Sequence, residues 1–339
     1  MSATTQVTTF SDLYTDLLNR ARIDTTLTAS VNQAKRYINI GLQDMHVGYG
    51  EQYSWAERTA ILRTQAPYST GTVTIVQGST SLAGTDTVWN TNNAFAVKPV
   101  RAGGKIVISG TNEVYEVSSV SSDTALTLAT RYVGDDVSAG TYLYYEDEYD
   151  LDAAFLRPLD MQFFDTRQAI PFVQRTQFRR NFIRPSSTGK VRQACIVERA
   201  FLSNTTPRRR VLVYMPPDGY YQIPYSFVTS NLAVSSAGVE AVNLSSDSDE
   251  PIVPLQYRHA IVLHALYCWY RDKKNDNRAN EVKAQFDNVM TRIIGDVEVG
   301  GRRPQIVPVR GGYVRQAVTP YRRGRGRHTL GTAFDEFRD

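Results

Sequence analysis

Apolar residues recur at two different periods along this chain, and the change of period divides it. Phe10, Leu13, Leu17 and Leu18 share one helical face, with Thr9 as N-cap and Asp12 placed to close a capping box, which predicts a helix over 9–22. After a polar break, Val31, Ala34, Tyr37, Ile38, Gly41, Leu42 and Met45 repeat at helical spacing behind Ser30, a natural cap, and predict a second helix over 30–49. Near the other end Pro254 precedes the strongly apolar stretch Tyr257–Tyr270, and Ala279, Val282, Phe286, Val289, Met290 and Ile293 follow a polar turn. These predict helices over 254–272 and 277–295. Two helix pairs, one from each end, suffice for an antiparallel bundle.

Between the helix pairs the period becomes two. Thr59–Thr64 reads as a strand, and Thr72–Val76, Lys105–Ser109, Val114–Val117 and Ala125–Leu128 are short strands separated by Gly, Asn, Asp and Ser turns. The expectation is a small antiparallel, barrel-like β domain inserted over 66–145 into a core formed by 1–65 and 146–299. Within that core, Val211–Tyr214 and Tyr220–Tyr225 around the turn Pro216–Gly219 mark a second, mixed β segment over 150–235. From Gly300 to Leu330 there is no acidic residue and no helical period, so 300–339 is expected to be an extended arm. The fold class is therefore α+β.

Charge sharpens this division. The net charge of +4 hides an asymmetry: residues 300–339 hold nine arginines against Asp335, Glu336 and Asp339, a balance of +6, which leaves −2 for the first 299 positions. Such a tail suits a polyanion or an acidic protein groove. Neither a signal peptide nor a membrane-length apolar run is read, so a soluble, cytoplasmically made chain without a membrane partner is expected. Cys195 and Cys268 match no metal or redox spacing and read as ordinary buried thiols.

The candidate chemistry is sparse. Glu146, Asp147, Glu148, Asp150 and Asp152 form an acidic cluster in which Glu146, Glu148, Asp150 and Asp152 share one face at strand period. They repel one another unless a partner or ion neutralises them, the readings being a solvated or interface face, a divalent cation or an acidic catalytic site. Residues 167–210 carry eleven basic residues against Glu198 alone. The acidic residues, with Arg179, Arg180 and Arg184, are candidates for a head-to-tail interface between neighbouring copies, the alternative being pairing within one subunit or exposure to solvent. The four histidines form no HExxH motif or triad, and His264 on an apolar helix reads as a core histidine; Gly103 and Gly104 read as a turn, not a phosphate loop. No catalytic residue, metal set or cofactor is assigned. The sharpest feature is the arm, where Arg302, Arg303, Arg310, Arg315, Arg322, Arg323, Arg325 and Arg327 interleave with Tyr313 and Tyr321. Arginine with aromatics and glycine suits sequence-independent nucleic-acid contact or insertion into another protein.

Thr9–Tyr14 followed by Ala34–Asp44, then Tyr149–Pro158, then Ile252–Leu266 leading into Asp276–Ala279, together resemble in order and spacing the head-to-tail adaptor, or connector, proteins of podophage-type tailed bacteriophages. The stretch from Gly71 through Gly134 is similar to a β module of phage structural proteins. The resemblance implies a structural virion protein of the head-tail neck, not an enzyme. It implies a helical bundle forming a ring, commonly dodecameric, that docks under the portal protein and receives the tail or nozzle on its other face. The genome would pass through its lumen and the arm would lie along portal subunits, with incidental contact to DNA. Two rival readings stand beside it: a nucleic-acid-binding protein acting through the arm, and a virion adhesion or glycan-binding protein acting through the β module.

Overall fold

A computed structural model describes residues 7–47, 53–94, 96–111, 113–181, 188–198, 209–301, 306–308 and 314–316. The chain is α+β. Its helices are α1 (Phe10–Ala21), α2 (Thr28–Val47), α3 (Arg175–Asn181), α4 (Arg258–Asp272) and α5 (Asp276–Gly301). It divides into two compact units, one from 1–54 with 245–339, the other from 55–244. These boundaries differ from those drawn on periodicity, because the segment 150–235 belongs with the inserted strands and not with the helices.

In the first unit α4 packs against α1, α2 and α5, and α1 against α2. The capping box of α1 is present: Thr9 accepts from the Asp12 amide at 3.3 Å while the Asp12 carboxylate accepts from the Thr9 amide at 3.0 Å. Helix α2 begins at Thr28 and not at Ser30, because the Val31 amide already donates to the Leu27 carbonyl at 3.0 Å. Pro254 opens a 3-10 turn, Leu255–Tyr257, and α4 proper starts at Arg258. The chain segment before α4 is tied to α1: Phe10 and Ser11 donate their amides to the carbonyls of Asp249 and Asp247 at 2.8 and 3.1 Å. The buried Arg258 guanidinium donates to the carbonyls of Val253, Pro251 and Thr8 and pairs with Glu250 at 3.0 Å.

Among the described residues the strands of the second unit are β1 (Glu57–Arg63), β2 (Thr72–Ile75), β3 (Ser81–Thr85), β4 (Lys105–Ile108), β5 (Val114–Val120), β6 (Ala125–Leu128), β7 (Val137–Gly140), β8 (Tyr142–Tyr145), β9 (Glu148–Asp150), β10 (Phe155–Met161), β11 (Gln193–Glu198), β12 (Arg209–Tyr214), β13 (Gln222–Thr229) and the short β14 (Ala233–Val234) and β15 (Glu240–Ala241). Seven of them form one antiparallel half-barrel in the order β7-β2-β3-β6-β5-β4-β8. Alternate residues point inward, so Val73, Ile75, Leu82, Ile106, Ile108, Val117, Leu126 and Leu128 share a core with Trp89 and Tyr142. The Trp89 indole donates to the Tyr142 hydroxyl at 2.8 Å, which satisfies a polar group the core would otherwise strand. Two three-stranded sheets, β1-β13-β10 and β11-β12-β9, enclose a second core that includes Leu62, Tyr149, Phe155, Val211, Val213, Ile223 and Phe227. Among the described residues no helix is long and apolar enough to cross a membrane.

Gly41 is where α2 meets α4. A β-carbon there would stand 3.1 Å from the Ile261 carbonyl oxygen and 3.4 Å from the Ala265 nitrogen. Gly41→Val is expected to lower stability by about 1–3 kcal/mol through overpacking. Gly41→Ala should come close to neutral, because a helix-propensity gain of about 1 kcal/mol offsets the squeeze. Denaturant midpoints of the two variants measure the difference.

His264 sits on the same helix, 3.5 Å from Asp44 on α2 and 3.8 Å from the Cys268 sulfur, with Lys283 and Asp287 of α5 in its field. Burial lowers its pKa below 6.5 despite the two carboxylates. A depressed folded-state value means that histidine protonation favours the unfolded chain. The stabilising contribution is intact above about pH 6.5 and is lost as pH falls from there through the folded value. Thermal midpoints between pH 7.5 and 5 should therefore fall less steeply for His264→Gln than for the parent protein.

Candidate functional site

The densest constellation of charge lies where the chain leaves β8 and enters β9. Only Glu146 and Asp147 separate the two strands, and both are buried, at 5% and 1% exposure. A buried carboxylate requires a cation or a set of donors, and each finds one. Arg101 donates from Nε to Glu146 at 2.9 Å and again through Nη2, while the Tyr144 hydroxyl donates to the same carboxylate at 2.6 Å. Lys105 of β4 pairs with Asp147. Across the sheet, Arg210 of β12 forks between Asp150, at 2.7 Å from Nε, and Glu148, at 3.0 Å from Nη1.

The cross-strand register explains the fork: Arg210 lies opposite Asp150, and Leu212 opposite Glu148, so one long side chain reaches two carboxylates on the same face. Gly103, at φ +86°, brings its backbone against the Arg210 guanidinium, where a β-carbon would lie 3.0 Å from Nη2. Gly104 lies flush on the Tyr144 ring, and a β-carbon there would fall 2.0 Å from the hydroxyl oxygen. The turn read from these two glycines is thus also a close backbone approach that side chains would block.

The environment sets the ionisation of these groups. Burial works to lower the Arg101 pKa, but hydrogen bonding to Glu146 and its charge outweigh burial and hold it above the ordinary value. Burial, reinforced by Glu146, pushes the Tyr144 hydroxyl well above the usual tyrosine range, so it remains a neutral donor. Burial also raises the Asp147 carboxyl, with Lys105 opposing it. A cleft of about 290 Å³ opens beside the network, lined by Ile61, Leu62 and Arg63 of β1, by Glu148, Tyr149 and Asp150 of β9, and by Arg101, Gly104 and Arg210.

Several expectations change at this site. Glu146 lies between β8 and β9 and pairs with Arg101, yet it lines the same cleft as Glu148 and Asp150. Glu146, Glu148 and Asp150 are neutralised by arginines of their own chain, and Asp152 stands apart, its carboxylate accepting from the Ala154 amide at 2.8 Å. Cys195 is buried, whereas Cys268 is only half-buried. Arg179 and Arg180 fall on α3, where only the backbone is described, and Arg184 lies outside the described residues. So do Arg302, Arg303, Arg310, Tyr313, Tyr321, Arg322, Arg323, Arg325 and Arg327, while the backbone of Val314–Gln316, which includes Arg315, pairs antiparallel with Ile306–Pro308. Sequence reasoning missed Arg101, Lys105 and Tyr144 entirely and read Arg210 only as part of a basic block. No model of a known protein family matches the chain, and no curated protein matches it.

Arg210→Ala would remove the largely buried guanidinium that bridges Glu148 and Asp150 and is expected to cost about 3 kcal/mol. Arg210→Lys should recover only part of this loss, since a single ammonium does not fork to two carboxylates. Urea unfolding of both variants measures the recovered fraction.

Proposed function

We propose that the chain is a structural subunit acting as a head-to-tail adaptor of a tailed bacteriophage virion, in line with the resemblance of its sequence. The observation that carries this reading is the way the arginine-rich segment is rooted. Residues from both chain ends make one helical unit, and its last helix, α5, is 26 residues long and ends at Gly301, where that segment begins. At 1.5 Å per residue such a helix is about 39 Å long, enough to hold the start of an arm well clear of the unit's other end. In this reading α1, α2, α4 and α5 form an antiparallel bundle, and copies of the bundle close a ring, commonly of twelve in the resembled family.

The internally paired charge network supports a scaffold role for the second unit. Its ion pairs fix the geometry of a decorated β body and present a tail or nozzle protein with a rigid surface. The arm, with a balance of +6 over 300–339, would bind portal subunits, and repetition around the ring would convert weak contacts into avidity. The same charge favours a second reading, sequence-independent binding to nucleic acid, which predicts affinity that falls steeply with salt.

Mass photometry separates the two. Mixing the protein with candidate portal rings should shift the portal peak by several subunit masses, and deletion of 300–339 should abolish the shift while leaving a folded protein. An unshifted portal peak together with salt-sensitive binding to duplex DNA would replace the adaptor reading with the nucleic-acid one.

A further inference from the structure

The cleft beside the charge network is walled by two strand edges. Three consecutive residues of β1 and three of β9 line it, and consecutive strand residues point to opposite faces, so a space touching all three is reached across the strand's edge. Both strands end their sheets: among the described residues β1 pairs only with β13, and β9 only with β12. The phase of the hydrogen bonds agrees. The Thr64 amide donates to the Tyr221 carbonyl at 3.1 Å, so even-numbered residues of β1 turn toward β13, and Ile61 and Arg63 turn their amides and carbonyls outward. Ile61 lies opposite Pro224, which has no amide to donate, as a pair exchanging no bonds permits. On β9, Leu151 donates to Arg209 at 3.0 Å and Asp147 accepts from Val213 at 2.8 Å, so Asp150 turns away from β12 and toward the cleft.

We propose that this cleft is a docking site for one extended polypeptide strand of a partner protein, a strand that carries an acidic side chain opposite Arg63. Two walls of backbone donors and acceptors at the two-residue repeat of a β-strand match the main chain of another strand, which a compact small molecule does not reproduce. Charge selects the side chain. Arg101 and Arg210 are already engaged by Glu146, Glu148 and Asp150, whereas Arg63 is exposed and pairs with no carboxylate among the described residues. The exposed Ile61 offers an apolar contact on the same edge. This inference stands on the second unit alone and holds whether or not the adaptor reading does.

Isothermal titration of the full chain with three synthetic octapeptides tests it: an alternating Val/Thr strand with one central Glu, the same peptide with Lys for Glu, and the Glu peptide N-methylated at alternate residues. The Glu peptide should bind, the Lys peptide should bind about fivefold more weakly, and N-methylation should abolish binding. Arg63→Glu should reverse the Glu/Lys preference. Ile61→Pro removes an amide that the sheet does not use and should abolish binding with the thermal midpoint little changed. If that variant fails to fold, hydrogen exchange on the parent protein replaces it: the amides of Ile61 and Arg63 should exchange faster than those of Ala60 and Leu62, and become protected when the Glu peptide is added. No binding of the Glu peptide by the folded protein, equal binding of the Glu and Lys peptides, or binding that survives N-methylation would each overturn the proposal.

Discussion

Burying a carboxylate costs several kcal/mol unless a cation or a full set of donors meets it, and the second unit buries two in succession at Glu146 and Asp147. Everything around the β8–β9 crossing answers that constraint. Arg101, from the turn before β4, and Tyr144 of the seven-stranded sheet meet Glu146, Lys105 of that sheet meets Asp147, and Arg210 meets Glu148 and Asp150 from the three-stranded sheet. The crossing is only two residues long, so these pairs also fix the direction in which the chain passes from one sheet to the next. Hydrophobic burial alone is non-directional and would tolerate several orientations; paired charges do not. The two glycines complete the arrangement, since the guanidinium of Arg210 and the ring of Tyr144 occupy the space where their side chains would stand.

The helical unit solves a different problem with the same chemistry. Its two segments come from opposite ends of the chain, so they must be joined by contacts made after a long excursion. Arg258 makes several of these at once: from the start of α4 it gathers carbonyls of Pro251, Val253 and Thr8, and α1 begins on the carbonyls of Asp247 and Asp249. Asp249 in turn accepts from the amides of Ser245 and Ser246, which hold its carboxyl below the ordinary range. Orphaned helix-terminal donors and a buried arginine thus satisfy one another, and loop closure over nearly two hundred residues is offset by dense local bonding.

How much of this the sequence discloses depends on whether the signal is local. The four long helices are legible because each carries its own amphipathic period, and the α1 capping box is written in Thr9 and Asp12. Strands with β-branched or alternating residues, such as Ala125–Leu128, are legible for the same reason. Ser81–Thr85 and Val137–Gly140 are not, because small residues and glycine give no period, and they exist only by pairing with β2 and β6. Phe155–Met161 holds Pro158, which argues against a strand; the strand lies at a sheet edge with irregular register, where proline is tolerated. The partners of the acidic cluster are illegible in principle. Arg210 is sixty residues from Asp150, and only the register of β12 on β9 brings them together.

Paired interior charges and open edges are two sides of one economy of hydrogen bonds. An unpaired strand edge invites indiscriminate pairing, and natural sheets defend such edges with charge. Strand β1 has this defence along its length: Glu57 and Arg63 are exposed at its two ends, and Arg58 is held by Glu240 at 2.6 Å. Arg63 is the position at which the defence remains uncompensated by a carboxylate among the described residues, and it borders the cleft. A lone positive charge on an edge repels strands of like charge and favours those bearing an acidic residue, so the feature that protects the edge also restricts what it accepts. Because the neighbouring arginines are held by internal pairs, the rest of the cleft has little charge left with which to blur that preference.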